Sequence, residues 1–206
     1  MGKEQNVESI NLWFIDILGI LKSFAITTQE LEGALERGVG FDGSSIQGFT
    51  RIDESDMVAM PDPDAFQLLS WKPRTHHAVA RIFCDILRPG GEPFDGDPRY
   101  VLKRNFKRTA QMGYTFYIGP ELEYFYFQDS QGNTRFRRRR LLRHDPQTLL
   151  VATDLRQETV LTLEEMCIGV ECSHHEGAPS QHEIDTRYTE ALTMADNVMI
   201  YCLVVK

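Results

Sequence analysis

The stretch His174-His175-Glu176-Gly177-Ala178-Pro179-Ser180-Gln181-His182-Glu183 constrains the fold most. Gly177 and Pro179 interrupt any regular element, so the ten residues read as a strand end, a turn and a second strand start. Two carboxylates and three imidazoles sit within this turn and its flanks. A second acidic pair, Glu121 and Glu123, follows Gly119-Pro120, between aromatic-rich runs at 114–118 and 124–127. On a strand, residues two apart share a face. Glu121 and Glu123 therefore point the same way out of a sequence otherwise fit for burial. Four carboxylates on facing strands suit hard divalent cations such as Mg2+ or Mn2+, which prefer oxygen ligands. An E-x-E pair equally fits a solvated strand face. The spacing is not the helical H-E-x-x-H of zinc proteases. The residues alone leave both readings open.

Composition narrows the partners. The 206 residues are 42% hydrophobic and 25% charged, enough for one large or two small globular domains. A net charge of -8 and a pI of about 5.3 disfavour nucleic acid and anionic membrane as partners. No apolar run approaches the ~20 residues of a membrane helix, and the first residues carry no secretory apolar region. Cys84, Cys167, Cys172 and Cys202 show no C-x-x-C spacing, so they are expected to be reduced thiols of a cytoplasmic protein, mostly in its core.

In chain order, the apolar runs 12–17 and 21–26 predict a hairpin turning at Gly19. Thr27 and Glu30 fit a capping box for a helix that stops at Gly38. Phe41-Asp42-Gly43-Ser44-Ser45 reads as a polar turn. The acidic stretch 53–64, broken by Pro61 and Pro63, reads as loop and solvated edge. Residues 78–86 form a strand. The turn-rich 89–93 segment marks a boundary between a first domain, 1–97, and a second, 98–206. Asp97 and Pro98 begin a helix that ends at Gly113. Asp154 caps another helix, ended by Gly169. Glu171 starts a strand, and 190–206 form a long apolar helix without a stop signal.

Five motifs occur in order: F-D-G-S-S-I-Q-G-F at 41–49, E-S-D-M at 54–57, M-P-D-P-D at 60–64, G-P-E-L-E-Y-F at 119–125 and H-H-E-G-A-P-S-Q-H-E-I-D at 174–185. Together they resemble the N-terminal part of a glutamine synthetase of the bacterial and archaeal type. The resemblance implies an α+β fold. A small β-grasp-like domain comes first, followed by the first part of a catalytic domain with an antiparallel sheet and helices. The chain is then expected to be truncated.

The resemblance also assigns roles. Glu123, Glu176 and Glu183 would hold one Mg2+ or Mn2+, and Glu121 would contribute to a second. Asp42 and Ser45 would hold the incoming ammonium, and Glu171 would contact ATP. His174, His175 and His182 would be supporting or structural groups. The implied substrates are glutamate, ammonium and ATP, and the implied assembly is a hexameric ring or dodecamer. One alternative is an inactive truncated or frameshifted fragment. Another is a ligase that γ-glutamylates a polyamine or other amine.

Arg135-Phe136-Arg137-Arg138-Arg139-Arg140-Leu141-Leu142-Arg143 departs from the family pattern. Read one nucleotide later, the codons of 138–145 permit the family's own Asp-Gly-Gly-Tyr-Phe-Asp-Met-Thr. A local frameshift is one expectation for this segment. A solvated loop is another, and a basic loop that binds RNA is a third, though the run stands alone in an acidic chain.

Overall fold

The computed structural model describes residues 7–44, 56–69, 78–127, 131, 146–178 and 180–206, with helix side chains described from 153 onward. The chain divides into two compact units, Met1–Phe116 and Tyr117–Lys206.

The first unit is built on a five-stranded sheet, β2-β1-β5-β4-β3. Its strands are β1 (Val7–Ile15), β2 (Leu21–Thr27), β3 (Val39–Asp42), β4 (Asp56–Leu68) and β5 (Ala78–Leu87). β1 and β5 run parallel at the centre, and the outer pairings are antiparallel. Ile10, Leu12 and Phe14 of β1 alternate into one core face with Ala80, Ile82, Cys84 and Ile86 of β5. Trp13 and Phe83 pack edge to face on the other side, with ring centroids 5.6 Å apart.

The hairpin turns at Gly19, whose φ of 77° lies in the left-handed region that glycine tolerates. Asp16 holds the turn, its Oδ1 accepting from the N–H groups of Leu18 (3.0 Å) and Ile20 (2.9 Å). The capping box at Thr27 does not form. Thr28–Glu30 make a 3-10 turn first, and no side chain caps it. Helix α1 (Leu31–Arg37) follows and ends at Gly38. A Cβ on Gly38 would lie 2.3 Å from Val58 Cγ1, so the close approach of β4 requires glycine there.

The described part of the acidic stretch is not loop. β4 runs through Pro61 and Pro63. Its pairing with β5 is interrupted between Pro61 and Phe66, where the prolines offer no N–H to the ladder. Asp62 is thereby turned toward helix α2 (Pro98–Gln111). Arg99 of α2 reaches Asp62 at 2.8 Å and Asp85 at 2.7 Å, and Lys103 also bonds both. Asp97 caps α2, accepting from Arg99 N at 2.9 Å through one oxygen. Its other oxygen accepts from Ile86 N of β5 at 3.0 Å.

The second unit contains β6 (Tyr117–Ile118), β7 (Glu121–Phe125), α3 (Pro146–Glu165), β8 (Val170–His175), β9 (Gln181–Thr186), β10 (Thr189–Glu190) and α4 (Ala191–Val204). β7, β9 and β8 form an antiparallel three-stranded sheet in that order, and β10 pairs with β6. Leu163, Met166, Ile168, Ile184, Met194 and Ile200 make the core between sheet and helices.

Asp154 is not a cap. It lies inside α3, which begins at Pro146. The helix also stops before Gly169, because Cys167 takes the left-handed turn with φ 59°.

Candidate metal centre

Register places the acidic residues on one face of the three-stranded sheet. Glu123 pairs with Glu183, and Glu183 pairs with His174, forming one row across β7, β9 and β8. One row along, Glu121 pairs with Asp185, and Asp185 pairs with Cys172. The intervening residues point the other way. Tyr124, His182 and His175 form a row on the helix-packed face, with centroids 5.9 Å apart for Tyr124–His182 and 5.1 Å for His175–His182.

The acidic face is closely knit. Gln181 Nε2 donates to Glu123. His174 lies between two carboxylates, its Nδ1 2.9 Å from Glu176 and its Nε2 3.6 Å from Glu183. Glu176 is carried by the turn after β8, where its N–H donates to Gln181 O at 2.9 Å. Glu183 is only 7% exposed. Burial, a hydrogen bond shared with Glu176 and the charge of Asp185 push its carboxyl up to about 7. Such crowding is what a bound cation relieves. Ligand atoms of His174, Glu176 and Glu183 all lie within 4.8 Å of one another. With Glu123 across the ladder, the donor set fits a hard divalent cation.

The opposite face explains the other two imidazoles. His182 is 1% exposed, and its Nδ1 lies 2.8 Å from Arg156 of α3. A guanidinium only donates, so Nδ1 accepts and the proton sits on Nε2. Burial, the Arg156 charge and His175 push His182 down to about 4, so it stays neutral. Helix α4 closes this side, with Tyr201 Oη donating to Leu122 O at 3.1 Å.

Sequence reasoning brought Glu121, Glu123, Glu176 and Glu183 to one sheet. It grouped the three histidines, which the pleat divides: His174 lies on the acidic face and His175 and His182 on the other. It expected the cysteines mostly in the core, whereas Cys84 is buried and Cys167, Cys172 and Cys202 are exposed; it also overlooked Asp185 and Cys172 as site groups, although each stands two residues from a residue already singled out. Arg156 is 26 residues from its partner, and no local signal marks it. Glu171 is exposed and sits where the β8–β9 register shifts, between Val170 and Cys172. Asp42 ends β3 in the first unit, and its Oδ1 accepts from Ser44 N at 2.8 Å. Ser45 and the Arg-rich segment lie outside the described residues.

The family model described as "Glutamine synthetase, beta-Grasp domain" matches residues 6–89, and "Glutamine synthetase, catalytic domain" matches 95–206. The chain belongs to the glutamine synthetase family. Glutamine synthetase of Methanosarcina mazei is 50% identical over 206 residues, 99% of this chain and 46% of the relative. That of Mycobacterium bovis is 46% identical over 207 residues, again 99% of this chain and 46% of the relative. A solved structure described as a GmaS/ADP complex superposes with a TM-score of 0.87 at 25% identity, covering 100% of this chain and 47% of that one. The chain thus spans about half the length of the glutamine synthetases it matches.

Proposed function

We propose that this chain supplies the carboxylate side of a glutamate–ammonia ligase, which forms glutamine from glutamate, ammonium and ATP through γ-glutamyl phosphate. The observation that carries the reading is the row Glu123–Glu183–His174, with Glu176 beside it, in a chain of this family. Glu123, Glu176 and Glu183 would hold one Mg2+ or Mn2+, and Glu121 would contribute to a second. When bound, the divalent ion would supply positive charge that offsets the negative charge gathering during phosphoryl transfer.

The protein's own groups prepare that site. Gln181 orients Glu123, and His174 spans Glu176 and Glu183, so three carboxylates are positioned before any ligand arrives. Glu171 would contact the nucleotide, and ATP use in this reading is in keeping with a similar structure described as a GmaS/ADP complex. Asp42 and Ser45 would receive ammonium, since a carboxylate favours the cation and can accept its proton. The assembly would be a homo-oligomeric ring in the cytoplasm, with no nucleic acid or membrane partner.

The test is glutamate-dependent phosphate release by the full-length gene product with Mg2+ and ATP. Ammonium should raise turnover. Turnover indifferent to ammonium but raised by putrescine would move the acceptor to a polyamine, and no turnover with either overturns the ligase reading.

A further inference from the structure

The acidic face carries a second group of donors beside the glutamates. Cys172 pairs with Asp185 one row along from the His174–Glu183 pair, so three different donor types meet on β8 and β9. One ligand atom from each of Cys172, His174 and Asp185 lies within 4.8 Å of the other two. Cys172 is exposed, and its S–H donates to Asp185 Oδ2 at 2.6 Å. Asp185 Oδ1 is buried and has no hydrogen-bond partner among the described residues. This set is chemically unlike the carboxylates next to it. A thiolate is a soft ligand, which favours Zn2+ and its neighbours over Mg2+. Three protein ligands of mixed kind, with the sulfur open to solvent, match the tetrahedral zinc pattern that leaves a fourth position for water.

We propose that Cys172, His174 and Asp185 form a binding site for a thiophilic divalent cation such as Zn2+. Binding breaks the S–H bond of Cys172, releases that proton to solvent and forms a sulfur–metal bond. The imidazole that completes the site is the one lying 2.9 Å from Glu176 and 3.6 Å from Glu183. A cation held there therefore competes for the group that steadies those two carboxylates. The proposal goes beyond the ligase reading and stands without it.

Co2+ is the probe. The full chain, freed of metal and kept reduced by a non-chelating reductant, is titrated with Co2+. A near-ultraviolet thiolate-to-cobalt band should saturate at one Co2+ per chain. Zn2+ should bleach it and excess Mg2+ should leave it. Cys172→Ala should abolish the band and weaken Zn2+ binding by more than the ~100-fold that loss of an outer-shell partner can cost, because it removes a ligand. Cys202→Ala should retain the band. Because Cys172 is exposed, its alanine variant should keep the wild-type circular dichroism, so loss of the band reports lost ligation. Asp185→Asn should keep the band but move its midpoint at least tenfold to higher Co2+. No band in the wild type, a band surviving Cys172→Ala, or a band removed by Mg2+ overturns the proposal.

Discussion

Glu123 and Glu183 stand directly opposite each other on β7 and β9. Like charges facing across an antiparallel pair destabilise it, so without metal this row is a cost to the fold. Glu183→Gln should leave the metal-free melting temperature unchanged or higher. It should weaken Mn2+ binding by about 100-fold, by analogy with the losses seen when metal sites are disturbed. Calorimetric titration with Mn2+ and a thermal melt check both. A lower melting temperature with unchanged Mn2+ affinity would falsify the role given to this residue.

Asp97 is fully buried, and burial pushes its carboxyl up to about 6, against the pull of the Ile86 and Arg99 N–H groups. The unfolded chain releases this proton near the ordinary value of 3.8, while the folded chain keeps it to about 6. The folded state therefore binds more protons in that window, and Asp97 makes stability fall as pH rises through it. Asp97→Asn cannot ionise. It should gain on the wild type by up to about 3 kcal/mol between the acid and neutral ends of the window. Urea unfolding of both proteins at the two ends measures the gain.

Arg99 holds Asp62 and Asp85 together, and its side chain is only 4% exposed. Burial alone would raise Asp62, but Arg99 and then Lys103 pull it below the ordinary carboxylate value. That contribution has the opposite sign to Asp97: it is present at neutral pH and lost as pH falls below 3.8. Arg99→Met leaves both acids to Lys103 and should cost up to about 3 kcal/mol at pH 7, the low end of what breaking a buried pair costs. The acid-side loss due to Asp62 should shrink in the same variant. A denaturant midpoint equal to wild type would show that Lys103 alone suffices.

Cys167 closes α3 with φ 59°, a conformation that costs a side chain roughly 1–2 kcal/mol relative to glycine. The residue is exposed, so little packing is lost with its side chain. Cys167→Gly should stabilise the chain by about 1 kcal/mol, after the greater entropy glycine loses on folding is subtracted. Equilibrium unfolding in urea would detect a shift of this size.

Much of the fold was legible because its signals are local. Apolar runs marked β1 and β2, and residues 78–86 read as the strand that is β5. Asp97-Pro98 marked the start of α2, and Gly19 and Gly38 marked turns in the left-handed region that glycine favours. The misreadings have physical reasons. Pro61 and Pro63 suggest a loop, yet an interrupted ladder accommodates them and lets Asp62 meet Arg99. Asp154 resembles a cap but lies within a helix that starts eight residues earlier, at an Asp-Pro pair, 145–146, that repeats the start signal of α2 and was passed over beside the Arg-rich segment.

The sequence by itself determined which residues could share a strand face, because a two-residue period is fixed by the backbone. Glu121 with Glu123, and His174 with Glu176, follow from that rule or lie beside it. It also determined the family, through five motifs in order. Only the tertiary structure decided which strands lie side by side and in what register. That register puts Glu183 between Glu123 and His174, brings Cys172 to Asp185, and turns His182 toward Arg156. A shift of one residue would invert every one of these faces. The register is held by the burial of Ile184 and His182 on the helix-packed face and by Tyr201 of α4 bonding to Leu122 O, and burial is a property of the packed chain rather than of any segment of it.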